Sequence, residues 1–247
     1  MASREDAKAV VRRLHALGGG GGEIVRKAAA REIARMDPLD ANELIHHVIQ
    51  LARGGWEPAT CVLSSFVAAL GRESASIPYA DSLRRMAEVQ SLESVADLFQ
   101  TAPAHKEFDE GAAARADAKA FTQSLGHSKQ QARLTRDPDV LARLSAVSNP
   151  AVIRNALLNP RLTEEIVVRM AARRPARPEP LVEIWKSTRW SVRHAVRRAL
   201  VFNPYLPPEV GVKIVPLLNG NDLAELAADA SVHASLREQA ARLLKGG

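Results

Sequence analysis

A single cysteine, Cys61, stands in 247 residues. No intramolecular disulfide can form, and the framework of a small secreted domain is excluded. Aromatic residues make up only 4% of the chain. The core must therefore be filled by Ala, Leu, Val and Ile, which suits closely packed helices better than a β-sandwich, where β-branched and aromatic residues are enriched. No apolar run approaches the roughly 18 residues that suggest a membrane span. The opening MASREDAKAVVRRLHAL lacks the apolar segment of a signal peptide, so the expectation is a cytoplasmic protein. Strand-like alternation bounded by turn signals is missing throughout.

Signatures of catalysis are missing too. The histidines are His15, His46, His47, His105, His127, His194 and His233, and none lies in an HExxH or a Cys/His cluster. His46 and His47 point about 100° apart on a helix, which fits a surface or half-buried pair better than a metal site. Cys61 lies in an apolar helical stretch and is expected to be buried and inert. Ser64-Ser65 and the serines at 74 and 76 lack the GxSxG elbow. Gly18 to Gly22 form an unbroken run without the Lys-Ser/Thr that closes a Walker loop, and they read as a flexible joint. The sequence thus implies no catalytic residue, no metal and no cofactor.

What is present is helical periodicity. Val10, Val11, Leu14 and Leu17 line one side of a first helix, and Ile24, Ala28, Ile33 and Met36 begin a second stripe ended by Asp37-Pro38. Asp40 and Glu43 are placed for a capping box ahead of Leu44, Ile45, Val48 and Leu51. A helix over 57–70 carries Cys61, Val62, Phe66 and Leu70, and segments around 81–87 and 91–100 continue the pattern. Residues 102–126, rich in Ala and charge, read as a connector containing one exposed helix. The expected organisation is an N-terminal helix and glycine joint over 1–22, a helical region over 23–101, the connector, and a repeat region over 127–247.

The repeat is explicit in the second half. Asn149-Pro150, Asn159-Pro160 and Asn203-Pro204 recur, with Asp137-Pro138 as an analogue. Residues 159–166 align with 203–210 at an offset of 44, pairing Leu162 with Leu206 and Ile166 with Val210, and the match runs on through Val168/Val212 and Met170/Ile214. Proline disfavours the α conformation in the residue before it, so Asn-Pro acts as a helix stop. Thr163 is a candidate N-cap and Pro208 suits a first helical turn. Similar helices precede both copies, at Ala151–Arg154 and Ser191–Val196, and Ser231-Val232-His233 echoes them.

This phrase of helix, Asn-Pro, short turn, Leu and apolar helix resembles HEAT-like and leucine-rich-repeat-variant proteins, and is similar to an uncharacterised family of bacterial helical-repeat proteins. The resemblance covers roughly residues 137–245. It implies an all-α fold, an α-solenoid of stacked antiparallel helix pairs with which the N-terminal half is a candidate continuation, and a binding role without catalytic residues.

Charge is distributed unevenly. Residues 1–125 hold 15 Lys/Arg against 17 Asp/Glu, and residues 126–247 hold 19 against 11, so the whole net +6 comes from the second half. No acidic residue occurs between Glu183 and Glu209, a stretch containing Lys186, Arg189, Arg193, Arg197 and Arg198. On a continuous helix the spacing of Arg189, Arg193 and Arg197 would line one face with like charges. Arg169, Arg173, Arg174 and Arg177 extend this basic set. The alternatives are a solvated face, pairing with acids of neighbouring repeats such as Glu179, Glu183 or Asp222, or a surface for anions. Trp185, Trp190, Phe202 and Tyr205 interleave with it, either as core between repeats or as stacking platforms for single-stranded nucleic acid. The functional expectation is a non-enzymatic binding or scaffold module engaging an acidic protein partner. The alternatives are nucleic-acid binding by the same face and, last, a HEAT-like DNA glycosylase using Glu183 beside the tryptophans.

Overall fold

The computed structural model describes residues 3–20, 22–72, 77, 79–109, 111, 124–145, 147 and 149–245, with backbone only at 19, 20 and 72. Among these residues are fifteen α-helices and no strand, as composition and periodicity require. Contacts divide the chain into two compact units. The first comprises residues 1–102, 208–229 and 234–247, and the second residues 103–207 and 230–233. This differs from the linear division expected from sequence, in which 127–247 forms one region. The boundary after Pro207 falls inside the second copy of the 44-residue match.

Unit 1 contains α1 (Arg4–Ala16), α2 (Gly22–Arg35), α3 (Pro38–Arg53), α4 (Glu57–Arg72), α5 (Ala80–Val89) and α6 (Glu93–Ala96). The later segments add α13 (Pro208–Ile214), α14 (Gly220–Ala228) and α15 (Ala234–Lys245). Ser3 caps α1 in a reciprocal capping box with Asp6, and Ala7, Val10, Val11 and Leu14 face inward. Leu17 to Gly20 then form a 3-10 turn and Gly22 opens α2, so most of the glycine run is built into helical structure rather than an open joint. α4 lies at the centre, packed by α1, α2, α3 and α13, and Phe66 and Leu63 on it are fully buried. Each such side chain contributes about 1.5–3 kcal/mol through its burial.

Several local expectations are corrected. The buried stripe of α2 is Val25, Ala29, Ala30 and Ile33, while Ile24 is half exposed. Asp37, not Asp40, caps α3: its Oδ1 accepts from the N–H groups of Leu39 and Asp40 at 2.9 and 3.0 Å, with Pro38 at the first helical position. Cys61 is exposed, not buried, and its Sγ donates to Glu57 Oε1 at 3.0 Å. His46 and His47 are a half-buried pair, with His46 Nδ1 3.0 Å from Ser94 Oγ.

Gly211 supplies a testable contact. A Cβ built on it would lie 2.7 and 2.8 Å from the two Cδ atoms of the buried Leu236. Both branches of the leucine are in the way, so rotating it does not clear the space. Gly211→Ala is expected to lower stability by about 1–2 kcal/mol in urea denaturation, the overpacking outweighing alanine's better helix propensity. Adding Leu236→Ala should cost less in that background than in the wild type. Equal costs in the two backgrounds would remove the clash as the cause.

Unit 2 contains α7 (Leu125–Leu134), α8 (Pro138–Ser145), α9 (Pro150–Leu157), α10 (Glu164–Ala172), α11 (Pro178–Lys186) and α12 (His194–Val201). Alternate helices pack on one another: α7 on α9, α9 on α11, α8 on α10, and α10 on α12. Residues 103–109 are tied to this unit, with the Lys106 N–H donating to Pro204 O at 3.0 Å and the Arg177 guanidinium over the Phe108 ring. Of the expected connector over 102–126, residues 112–123 lie outside the described residues, and with them the test of its exposed helix.

The Asn-Pro pairs separate into two devices. Asn149 opens α9, accepting from the N–H groups of Ala151 and Val152, with Pro150 at the first position. Asp137 does the same for α8. These are helix starts, not stops. Asn159 and Asn203 are buried instead, at 1% exposure each. Asn159 Nδ2 donates to Ala132 O and Thr135 O at the end of α7, while its Oδ1 accepts from the Arg161 N–H. Asn203 repeats this arrangement on Ala171 O and Arg173 O at the end of α10, accepting from the Tyr205 N–H. Orphan carbonyls at a helix end are thereby satisfied from a later turn of the chain.

Candidate binding surface

The structure redistributes the basic residues singled out by sequence. α11 ends at Lys186 and α12 begins only at His194, so Arg189 and Arg193 are not on a helix with Arg197. The reason is Trp190. Its Nε1 donates to Leu157 O at 3.1 Å and the ring is 3% exposed, which draws residues 187–193 into a turn against α9. The expected single-face stripe of arginines is therefore replaced by separate roles.

Arg189 stacks over the Trp190 ring at 4.3 Å and donates to Asn159 O and Leu162 O at 3.1 and 3.4 Å. Arg197 is 8% exposed and its Nε donates to Ser191 O at 2.7 Å. Both brace the turn between α11 and α12. Arg198 lies over the Phe202 ring, and Arg174 donates to Phe202 O. Arg193 is exposed and within 3.9 Å of Glu164, and Lys186 is 3.7 Å from Glu183. Glu183 is held chiefly by Arg154, which reaches its two oxygens from Nε and Nη2 at 2.7 and 2.9 Å. That double hydrogen bond keeps the Glu183 carboxyl below its ordinary value against the effect of burial. The exposed Arg154 is a partner that the stretch 184–208 could not reveal.

The aromatic residues are mostly interior. Trp185 is 4% exposed, Trp190 3% and Phe202 8%, and only Tyr205 is half exposed. Trp185, Trp190 and Phe202 fill the core between helices.

A cleft in unit 2 was not foreseen as such. It measures about 200 Å³ and lies between α8 and α10, lined by Ala142, Ser145, Ile166, Arg169, Met170 and Arg173. Arg169 is exposed, 3.9 Å from Glu165. Arg173 caps the C-terminus of α10 and is exposed. Ser145 is 4% exposed, and its Oγ has no hydrogen-bond partner among the described residues. A mostly apolar lining that includes two arginine residues suits a side chain with an apolar stem and an anionic head. The volume holds one or two side chains and falls short of the usual 300–1,000 Å³ of a small-molecule pocket. Arg169 and Arg173 belong to the basic set named from sequence; Ala142, Ser145, Ile166 and Met170 carried no motif that would have marked them.

Charge follows the same division. Unit 2 holds 18 Lys/Arg against 10 Asp/Glu, net +8, and unit 1 holds 16 against 18, net −2. No described helix is long and apolar enough to cross a membrane. No protein-family model, no curated protein and no solved structure matches the chain.

Proposed function

We propose that this chain is a non-enzymatic binding or scaffold module, and that unit 2 engages an acidic segment of a protein partner. The observation that carries this is the cleft between α8 and α10, where Arg169 and Arg173 join Ala142, Ile166 and Met170 in the lining, in the unit that holds all the positive excess. A Glu or Asp flanked by Leu would place its carboxylate between the two guanidinium groups and its apolar neighbour over Ile166 and Met170. Charge-assisted hydrogen bonds of this kind contribute about 1.5–3 kcal/mol each when shielded from water.

The same reading takes unit 2 as a HEAT-like solenoid of helix pairs. Its support is the packing of alternate helices on one another and the repeated buried asparagine turn at Asn159 and Asn203. A solenoid presents a continuous surface to an extended partner and needs no enclosed pocket.

The test is fluorescence polarisation with a labelled peptide of alternating Glu and Leu, and in parallel with a labelled DNA duplex. The wild type should bind the peptide, and Arg169→Glu with Arg173→Glu should weaken that binding at least tenfold with an unchanged helical circular dichroism signal. Arg197→Glu is not used, because Arg197 is buried. If the duplex binds instead, with affinity falling steeply as salt rises, the surface is one for phosphate backbones and the acidic-peptide reading fails. Equal peptide binding by wild type and double variant removes the cleft from the reading.

A further inference from the structure

We propose that His15, Glu57 and Cys61 form a binding site for one borderline-soft divalent cation of the Zn²⁺ class, on unit 1 and separate from the cleft of unit 2. Glu57 is the first residue of α4 and Cys61 follows four residues later, so both side chains leave the same face one turn apart. His15 comes from the last turn of α1, which packs against α4. One ligand atom from each residue, an imidazole nitrogen, a carboxylate oxygen and the thiol sulfur, lies within 4.8 Å of the other two.

The distances suit the chemistry. Bonds of about 2.3 Å to sulfur and about 2.0–2.2 Å to nitrogen and oxygen set tetrahedral ligand atoms about 3.3–3.6 Å apart. Cys61 Sγ and Glu57 Oε1 already stand at 3.0 Å. All three separations lie within 4.8 Å, and the side chains that set them are exposed. The thiol now donates to the Glu57 carboxylate. Binding replaces that hydrogen bond by bonds from sulfur and oxygen to the ion, and the thiol proton passes to solvent.

Ligand type selects the ion. Thiolate with imidazole favours Zn²⁺ and its probe Co²⁺ over Mg²⁺ or Ca²⁺, which take oxygen ligands. Three protein ligands leave a fourth position for water or for a group from outside. All three residues are exposed, so the ion has direct access.

Cobalt titration of the tag-free full chain tests the site. Addition of Co²⁺ should saturate at one equivalent with a thiolate-to-cobalt charge-transfer band in the near ultraviolet, and Zn²⁺ should abolish that band by competition. Cys61→Ser should lose it outright. His15→Ala and Glu57→Gln should each weaken binding at least tenfold; all three positions are exposed, so circular dichroism should show unchanged folding. Absence of the band in the wild type overturns the proposal. So does a band of undiminished affinity in His15→Ala and Glu57→Gln, which would mark a lone thiol rather than a built site.

Discussion

Replacing Arg242 with methionine is expected to lower the stability of unit 1 by about 3 kcal/mol, because it strands a buried carboxylate. Asp97 is 3% exposed and accepts from Arg242 Nε at 3.0 Å and Nη2 at 2.5 Å, across 145 residues of sequence. Gln100 also donates to it at 2.6 Å, which places the loss at the lower end for a broken buried pair. Asp97→Asn should cost only about 1 kcal/mol, since it removes the buried charge while keeping one acceptor oxygen and leaves Arg242, a third exposed, to rehydrate.

The two substitutions also differ in pH dependence. Burial pushes the Asp97 carboxyl up, against the lowering pull of Arg242. A carboxyl raised in the folded state favours folding most when protonated, and this contribution is lost as pH rises through its folded value. Without Arg242 the upward push is unopposed. The deficit of Arg242→Met should therefore be small in acid and grow as pH rises from the ordinary carboxylate range to neutrality. Urea denaturation followed by circular dichroism at several pH values measures this. A deficit independent of pH, or a larger loss in Asp97→Asn, would falsify the account.

Neither member of that pair was marked in the sequence, and the reason generalises. Periodicity reports which side of a helix is apolar, so the inward faces of α1 and α3 were legible. On α2 the apolar residues Ile24 and Val25 are adjacent, and packing alone decides that Val25 joins Ala29 and Ile33 inside. The reading of Arg189, Arg193 and Arg197 as one face required a helix through Ser187–Arg193. No local propensity forbade it; the long-range hydrogen bond from Trp190 to Leu157 O did. Cys61 was assigned to the core because Val62, Phe66 and Leu70 surround it in sequence, yet it sits one position off their face. The metal-ligand triad escaped notice because His15 arrives from another helix, outside any spacing rule. The cleft of unit 2 is likewise a gap between helices, and only its charged edge had a sequence signal.

Asn203→Ala is expected to cost about 2–4 kcal/mol, far more than a helix cap. Its side chain donates to Ala171 O and Arg173 O at 2.7 and 2.9 Å, and it accepts from the Tyr205 N–H at 3.1 Å. Truncation leaves two carbonyls and one amide short of the partner that a side chain only 1% exposed now supplies. Asn203→Asp should be at least as damaging: it keeps the acceptor for Tyr205 but turns a carboxylate on two carbonyl oxygens. Asn159→Ala should match Asn203→Ala, because it serves Ala132 O, Thr135 O and the Arg161 N–H in the same way. Asn149→Ala should cost only about 1 kcal/mol, the worth of an N-cap. Urea midpoints of the four variants decide the matter, and an Asn149→Ala loss as large as that of Asn203→Ala sinks the distinction. Three identical Asn-Pro dipeptides thus carry two functions. Those 44 residues apart tie a turn to the end of an earlier helix, which is why the spacing between them, rather than the dipeptide itself, marks the repeat.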